Sequence, residues 1–244
     1  VGIAVHRLEE AYRLYRDVLG LPLITEASVP DQGVRAALLA AGDSEIELLE
    51  PLGADSGMRR FLARHGEGLH HVCFETPDVG SELAALKNKG AELIDAAPRP
   101  GLAGRIGFLH PRSCAGVLVE LAMTDGPAHE PGSALRLKRL VIGAKDPRGM
   151  ATVFQGLFGF SEIPMNGGPR VMLGVGRGAL LIVPHGEVGG TEGMVALSMV
   201  SDDFDGLLAS LENAGTRGVL RGTGEVTLEP VATHGVHFHI SRYE

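Results

Sequence analysis

Tyr15-Arg16-Asp17-Val18-Leu19-Gly20-Leu21 and Phe154-Gln155-Gly156-Leu157-Phe158-Gly159-Phe160 spell the same local event twice. Each closes an amphipathic helical stretch with a glycine suited to the left-handed stop position. Upstream of the first, Ala11, Leu14, Tyr15, Val18 and Leu19 set an apolar stripe at helical spacing over Leu8 to Leu19. Upstream of the second, Met150, Val153, Phe154 and Leu157 do the same after Asp146-Pro147. Two more stretches share the pattern. One begins near Asp78, buries Val79, Leu83 and Leu86, and stops at Gly90; the other follows Asp202-Asp203, carries Phe204, Leu207, Leu208 and Leu211, and stops at Gly215. The stop glycines are spaced by 70, 69 and 56 residues.

Each helix follows a short apolar or β-branched run: Val1–Val5, Val72–Glu75, Leu140–Ala144 and Val195–Val200. Each is followed by further strand-like runs. The chain is therefore read as four strand–helix–strands units of βαβββ type, an α+β protein whose architecture is set by internal repetition. Asp125-Gly126-Pro127-Ala128-His129-Glu130-Pro131-Gly132-Ser133 has linker composition. This divides the chain into domains 1–124 and 134–244, joined by linker 125–133.

Composition narrows the function classes. The 244 residues suffice for two ordinary domains, and 44% hydrophobic with 21% charged residues is usual for a soluble globular chain. A formal charge of −8 argues against a general nucleic-acid partner. No apolar run approaches the ~20 residues of a membrane span. Two cysteines, Cys73 and Cys114, are too few for a disulfide framework, so a reducing cytoplasm is expected. No signal-peptide pattern opens the chain, and a start at Val1 implies a true beginning further upstream.

Side chains alternate along a strand, so each run has two faces. Val1, Ile3 and Val5 suit packing beneath a helix; Gly2 and Ala4 leave the other face stripped of bulk, as in a cavity wall. In His71-Val72-Cys73-Phe74-Glu75, Val72 and Phe74 face the helix and His71, Cys73 and Glu75 lie opposite. Glu45-Ile46-Glu47-Leu48-Leu49 groups Glu45, Glu47 and Leu49, and Gly116-Val117-Leu118-Val119-Glu120 groups Gly116, Leu118 and Glu120. A lone strand histidine or glutamate is more often a solvated or hydrogen-bonded side chain than a ligand. Glu47, His71 and Glu120 together, in corresponding parts of a repeated unit, form a candidate set for a divalent metal with open coordination positions. Cys73 reads as a small cavity-lining thiol, since no second cysteine has metal-site spacing. Gly174-Val175-Gly176-Arg177-Gly178 leads into a strand, not a helix N-terminus, so it is no phosphate loop.

These residues resemble the methylmalonyl-CoA epimerases of the vicinal oxygen chelate (glyoxalase/bleomycin resistance/extradiol dioxygenase) superfamily, over roughly Val1 to Met123. The specific stretches are Val1–Val5, Tyr15–Leu21, Pro30-Asp31-Gln32-Gly33-Val34, Ile46–Gly53, Gly66–Glu75, Phe108-Leu109-His110-Pro111 and Gly116–Leu121. The resemblance implies two tandem glyoxalase-like domains, and a divalent metal (Co, Mn, Ni, Zn or Fe) held by Glu47, His71 and Glu120. A fourth ligand, a histidine, would directly precede Val1. It implies epimerisation of methylmalonyl-CoA or a related acyl-CoA by α-proton abstraction, with Asp31 and Glu120 as the acid/base pair. Asp31 stands where the family often has Glu, and Glu47 where epimerases often have Gln and glyoxalase I has Glu. A glyoxalase I-like lyase, an Fe(II) extradiol dioxygenase and a non-catalytic small-ligand-binding protein are the alternatives. Aligned on the first half, the second puts Arg139, Leu180, Ala196 and His239 at the ligand positions, so its metal set is lost. Relatives with one domain usually dimerise. This chain is expected to be a monomer with a pseudo-dimeric domain pair or a homodimer, with an acyl-CoA as its small-molecule partner and no nucleic acid or membrane.

Overall fold

A computed structural model describes residues 1–53, 55–102, 104–124, 132–216, 218–221 and 223–243. Most of the expected linker, residues 125–131, lies outside the described residues. The first repeat runs β1 (Gly2–Ala4), α1 (Leu8–Tyr12), β2 (Leu23–Val29), β3 (Val34–Ala41) and β4 (Ser44–Pro51). A helix α2 (Gly57–His65) then leads to the second: β5 (Gly68–Glu75), α3 (Val79–Asn88), β6 (Arg99–Pro100), β7 (Gly104–Leu109) and β8 (Val119–Thr124). The third comprises β9 (Leu135–Ala144), α4 (Pro147–Phe158), β10 (Glu162–Ile163), β11 (Val171–Val175) and β12 (Gly178–Pro184). The fourth comprises β13 (Gly193–Ser201), α5 (Phe204–Asn213), β14 (Gly218–Arg221), β15 (Glu225–Leu228) and β16 (His237–Ser241).

Among the described residues the strands form two eight-stranded sheets of identical order. One is β2-β3-β4-β1-β5-β8-β7-β6 and the other β10-β11-β12-β9-β13-β16-β15-β14. The last strand of a repeat returns parallel to its first: β4 beside β1, β8 beside β5, β16 beside β13. The remaining pairs given by register are antiparallel meanders. The α+β class and the fourfold βαβββ repeat are thus present in the chain.

Local chemistry explains the element ends. The stop glycines Gly20, Gly90, Gly159 and Gly215 all adopt positive φ, between 67° and 89°, a conformation that costs a residue with a Cβ. Asp78, Asp146 and Asp203 cap α3, α4 and α5, each accepting the backbone N–H three residues on.

Three local features differ from the sequence expectation. The first helix is α-helical only to Tyr12 and continues as a π-helix over Arg13–Val18. Leu19 N–H donates to Leu14 C=O at 2.8 Å. The wider winding lets Leu14, Tyr15 and Leu19 all turn inward, where each is buried. Helix α2 is an element the sequence reading did not include, although Ser56 caps it by accepting the Arg59 N–H and Met58 and Leu62 are buried along it. The run at Gly116–Glu120 becomes a strand only at Val119. Ala115 and Gly116 have φ of 50° and 91°, which makes them a turn.

By packing density the chain forms two compact units. One joins Val1–His70, His129–Arg139 and Ala196–Glu244; the other joins His71–Ala128 and Leu140–Val195. The first unit therefore packs the first repeat against the fourth. Fully buried Tyr15 meets Phe238 edge-on at 6.0 Å and donates its hydroxyl to Thr233 C=O at 3.1 Å. Glu67 bridges to His234 Nδ1 at 2.8 Å and accepts the backbone N–H of His6 at 2.7 Å. In the same unit Arg35 holds Glu26 and Glu9, both at 2.6 Å. Glu26 also accepts the Tyr12 hydroxyl; that bond first, and Arg35 second, holds its carboxyl below the usual range.

The second unit packs the second repeat against the third. Phe74, Phe158 and Phe160 form an aromatic cluster with centroids 5.0–5.3 Å apart, which supplies large apolar burial. Lys89 Nζ donates to Leu157 C=O at the end of α4, where a cation is favoured by the helix dipole.

At Gly235 the backbone has φ of 78°, and any Cβ would run into Glu67 C=O. Gly235→Ala therefore combines left-handed strain with overpacking, and is expected to destabilise the protein by about 2–4 kcal/mol. Urea denaturation checks this; a midpoint within error of the unmutated protein would contradict the close approach.

Candidate metal centre

The side chains expected to act together reach the site through strand register. β4 places Glu47 opposite Gly2 of β1 and opposite Leu38 of β3. β8 places Glu120 opposite Cys73 of β5 and opposite Phe108 of β7. Opposed residues share a face, so Cys73, Glu120 and Phe108 are on one side of the sheet, and His71, two residues before Cys73, joins them. The other side carries the helix. A Cβ on Gly107 would meet Leu83 and Val79 of α3, which explains why a glycine stands between Ile106 and Phe108.

Glu47, His71 and Glu120 each offer one ligand atom, and these atoms all lie within 4.8 Å of one another. It is the one such group among the described residues. His71 Nε2 and Glu120 Oε2 are 2.9 Å apart. Both residues are buried, at 2% and 7% exposure, while Glu47 is half-buried. The His71 ring is held at 89° to that of Phe108, with centroids 5.4 Å apart.

A buried carboxylate with a second one close by is electrostatically unfavourable without a cation. One imidazole and two carboxylates are an N/O donor set for a divalent first-row metal. The residues therefore fit such an ion, with Glu47, His71 and Glu120 as its holders. Cys73 is half-exposed on the same face. Cys114 is buried elsewhere, and burial pushes its thiol up to about 12.

Asp31 is not one of these three residues. It is exposed on the short 3₁₀ turn Pro30–Gln32 between β2 and β3. The second half carries no equivalent group among its described residues. Leu180 and Ala196 are buried apolar residues. His239 Nε2 lies 3.4 Å from Glu225, and His237 Nδ1 3.7 Å from Glu229. Register sets His239 opposite Ser198 as Glu120 is set opposite Cys73, which fixes the correspondence of the two halves at this point.

Sequence reading missed two residues here. Phe108 meets the His71 ring, and Arg99 lies over Phe108 with its guanidinium carbon 5.4 Å from the ring centre. Phe108 was visible only as a resemblance residue, and Arg99 sits in a Pro-rich run without strand periodicity.

If the trio holds a cation, millimolar Mn²⁺ or Co²⁺ should raise the melting temperature of the unmutated protein by several degrees, through binding to the folded state alone. His71→Ala and Glu47→Gln should lose most of that rise. Equal shifts in all three proteins would reject the trio as the site.

A profile of the Glyoxalase/Bleomycin resistance protein/Dioxygenase superfamily matches residues 1–108. The Bacillus subtilis protein YqjC, itself uncharacterized, is 42% identical over 130 residues, 53% of this chain and 93% of its own length. The mitochondrial methylmalonyl-CoA epimerase of Mus musculus is 39% identical over 123 residues, 50% of this chain and 69% of that protein. Among solved structures, Streptomyces coelicolor methylmalonyl-CoA epimerase in complex with 2-nitronate-propionyl-CoA matches with a TM-score of 0.50 and 39% identity, over 51% of this chain and 94% of that one. With relatives this similar covered over most of their length, the chain belongs to the glyoxalase/bleomycin resistance protein/dioxygenase superfamily, and its close homologues are methylmalonyl-CoA epimerases.

Proposed function

We propose that the chain is a divalent-metal-dependent epimerase of methylmalonyl-CoA or a related acyl-CoA. The observation that carries this reading is the convergence of Glu47, His71 and Glu120 on one point, in a half of the chain related to epimerases. A bound divalent ion would act as a Lewis acid, stabilising the negative charge left when the α-proton is removed. Glu120 is the group assigned to move that proton, and its contact with His71 fixes the direction of the carboxylate. Asp31 is the group assigned to the opposite face of the α-carbon. Its place on an exposed turn gives it access to solvent protons, and Asp is one methylene shorter than Glu. Apolar and aromatic neighbours such as Phe108 keep water from the Glu120 side.

Incubation of methylmalonyl-CoA in D₂O with the enzyme and Co²⁺ should exchange the α-proton, and EDTA should stop it. Asp31→Asn is expected to slow exchange at least 100-fold while the metal-induced thermal shift persists. Exchange at the unmutated rate would remove Asp31 from the mechanism. Glu47 favours one second reading, a glyoxalase I-like lyase; turnover of a methylglyoxal–thiol adduct without acyl-CoA exchange would establish that one instead.

The domains 1–124 and 134–244 are proposed to act as a built-in pair with one active cleft per chain. Support comes from packing inside each unit, where residues of both halves meet at Tyr15–Phe238 and at Phe74–Phe158. Light scattering tests this; a dimer built through the N-terminal halves alone would overturn this arrangement.

A further inference from the structure

Arg99 is chemically unfinished. On the short edge strand β6 it stands opposite Ile106 of β7, so it shares the face of Ile106, Phe108 and Glu120. Its Nε donates to Asp95 Oδ1 at 2.9 Å. Asp95 is committed elsewhere too, since its other oxygen accepts the Phe108 backbone N–H at 2.9 Å. The guanidinium is thereby held against the Phe108 ring, the ring that also meets His71. Yet Nη1 is buried and has no hydrogen-bond partner among the described residues. A guanidinium is a rigid fork of five donors that matches a carboxylate bidentately. Native proteins rarely leave a buried donor of this kind unpaired without a functional reason.

Two features point the same way. The cation is fixed by one edge only. Arg99 also springs from the sheet face that carries His71 and Glu120. We propose that Arg99 is the specificity-determining residue that anchors the free carboxylate of the substrate. It would select acyl-CoA thioesters that bear a carboxylate over neutral ones. This inference rests on the acyl-CoA reading above and adds a residue and a selection rule to it. Asp95 acts as the positioning residue, holding Nε so that the Nη edge faces the ligand.

Isothermal titration with malonyl-CoA and propionyl-CoA tests this, because the two differ by the carboxylate. The metal-loaded protein and the EDTA-treated protein are both titrated, so that a contribution from the metal is separated from that of the arginine. The unmutated protein is expected to bind malonyl-CoA at least tenfold tighter than propionyl-CoA in both states. Arg99→Leu should weaken malonyl-CoA by that factor and leave propionyl-CoA unchanged. Arg99→Lys, which keeps charge and stem but loses the fork, should fall between them, and decides the matter if the leucine variant does not fold. Equal weakening of both ligands in the two variants, or an undiminished preference for malonyl-CoA, would overturn the role of Arg99. Failure of the unmutated protein to bind either CoA ester would instead overturn the acyl-CoA reading and the anchor with it, a result distinct from the other two.

Discussion

A sheet face that carries a helix cannot also line a cleft, and this constraint governs the whole chain. Strand alternation commits Val72, Phe74 and Val119 to one side and His71, Cys73 and Glu120 to the other. Gly107 shows how tight the helix side is, since even a methyl group there would meet Leu83. The polar residues are therefore segregated by geometry, and a buried His71–Glu120 contact of 2.9 Å follows from it. That contact is tolerable because each group satisfies the other.

Much of this was legible in the sequence. Four glycines ended four amphipathic stripes, and all four proved left-handed; only glycine tolerates that conformation cheaply, so the signal is strong. The trio was legible because strand periodicity tells which residues share a face and the repeat tells which strands correspond. Arg99 was not legible, because its role depends on a two-residue strand and on contacts to Asp95 and Phe108 that no periodicity encodes. The π-helical turn at Arg13–Val18 was equally hidden: the stripe Leu14, Tyr15, Leu19 fits an α-helix on paper, and only burial of all three selects the wider winding.

The second half shows what duplication keeps and what it releases. Strand order, caps and stop glycines are repeated, since the fold requires them. Leu180 and Ala196 at the expected ligand positions are buried apolar residues, which offer a cation no ligand atom. His237 and His239 remain there beside carboxylates of their own strand neighbourhood. Retained architecture with altered face chemistry is what a packing partner needs, whatever else it does.

Tyr15 and Thr233 are joined across 218 residues of sequence, and Glu67 reaches His234 across 167. The first repeat thus finds part of its packing in the fourth. Contacts of such sequence separation close very long loops, whose entropy must be given up before the contact returns anything. During synthesis the first repeat must wait, with the surface around Tyr15 uncovered, until the fourth repeat has emerged. The unit that holds the first repeat is therefore closed last, by the fourth repeat.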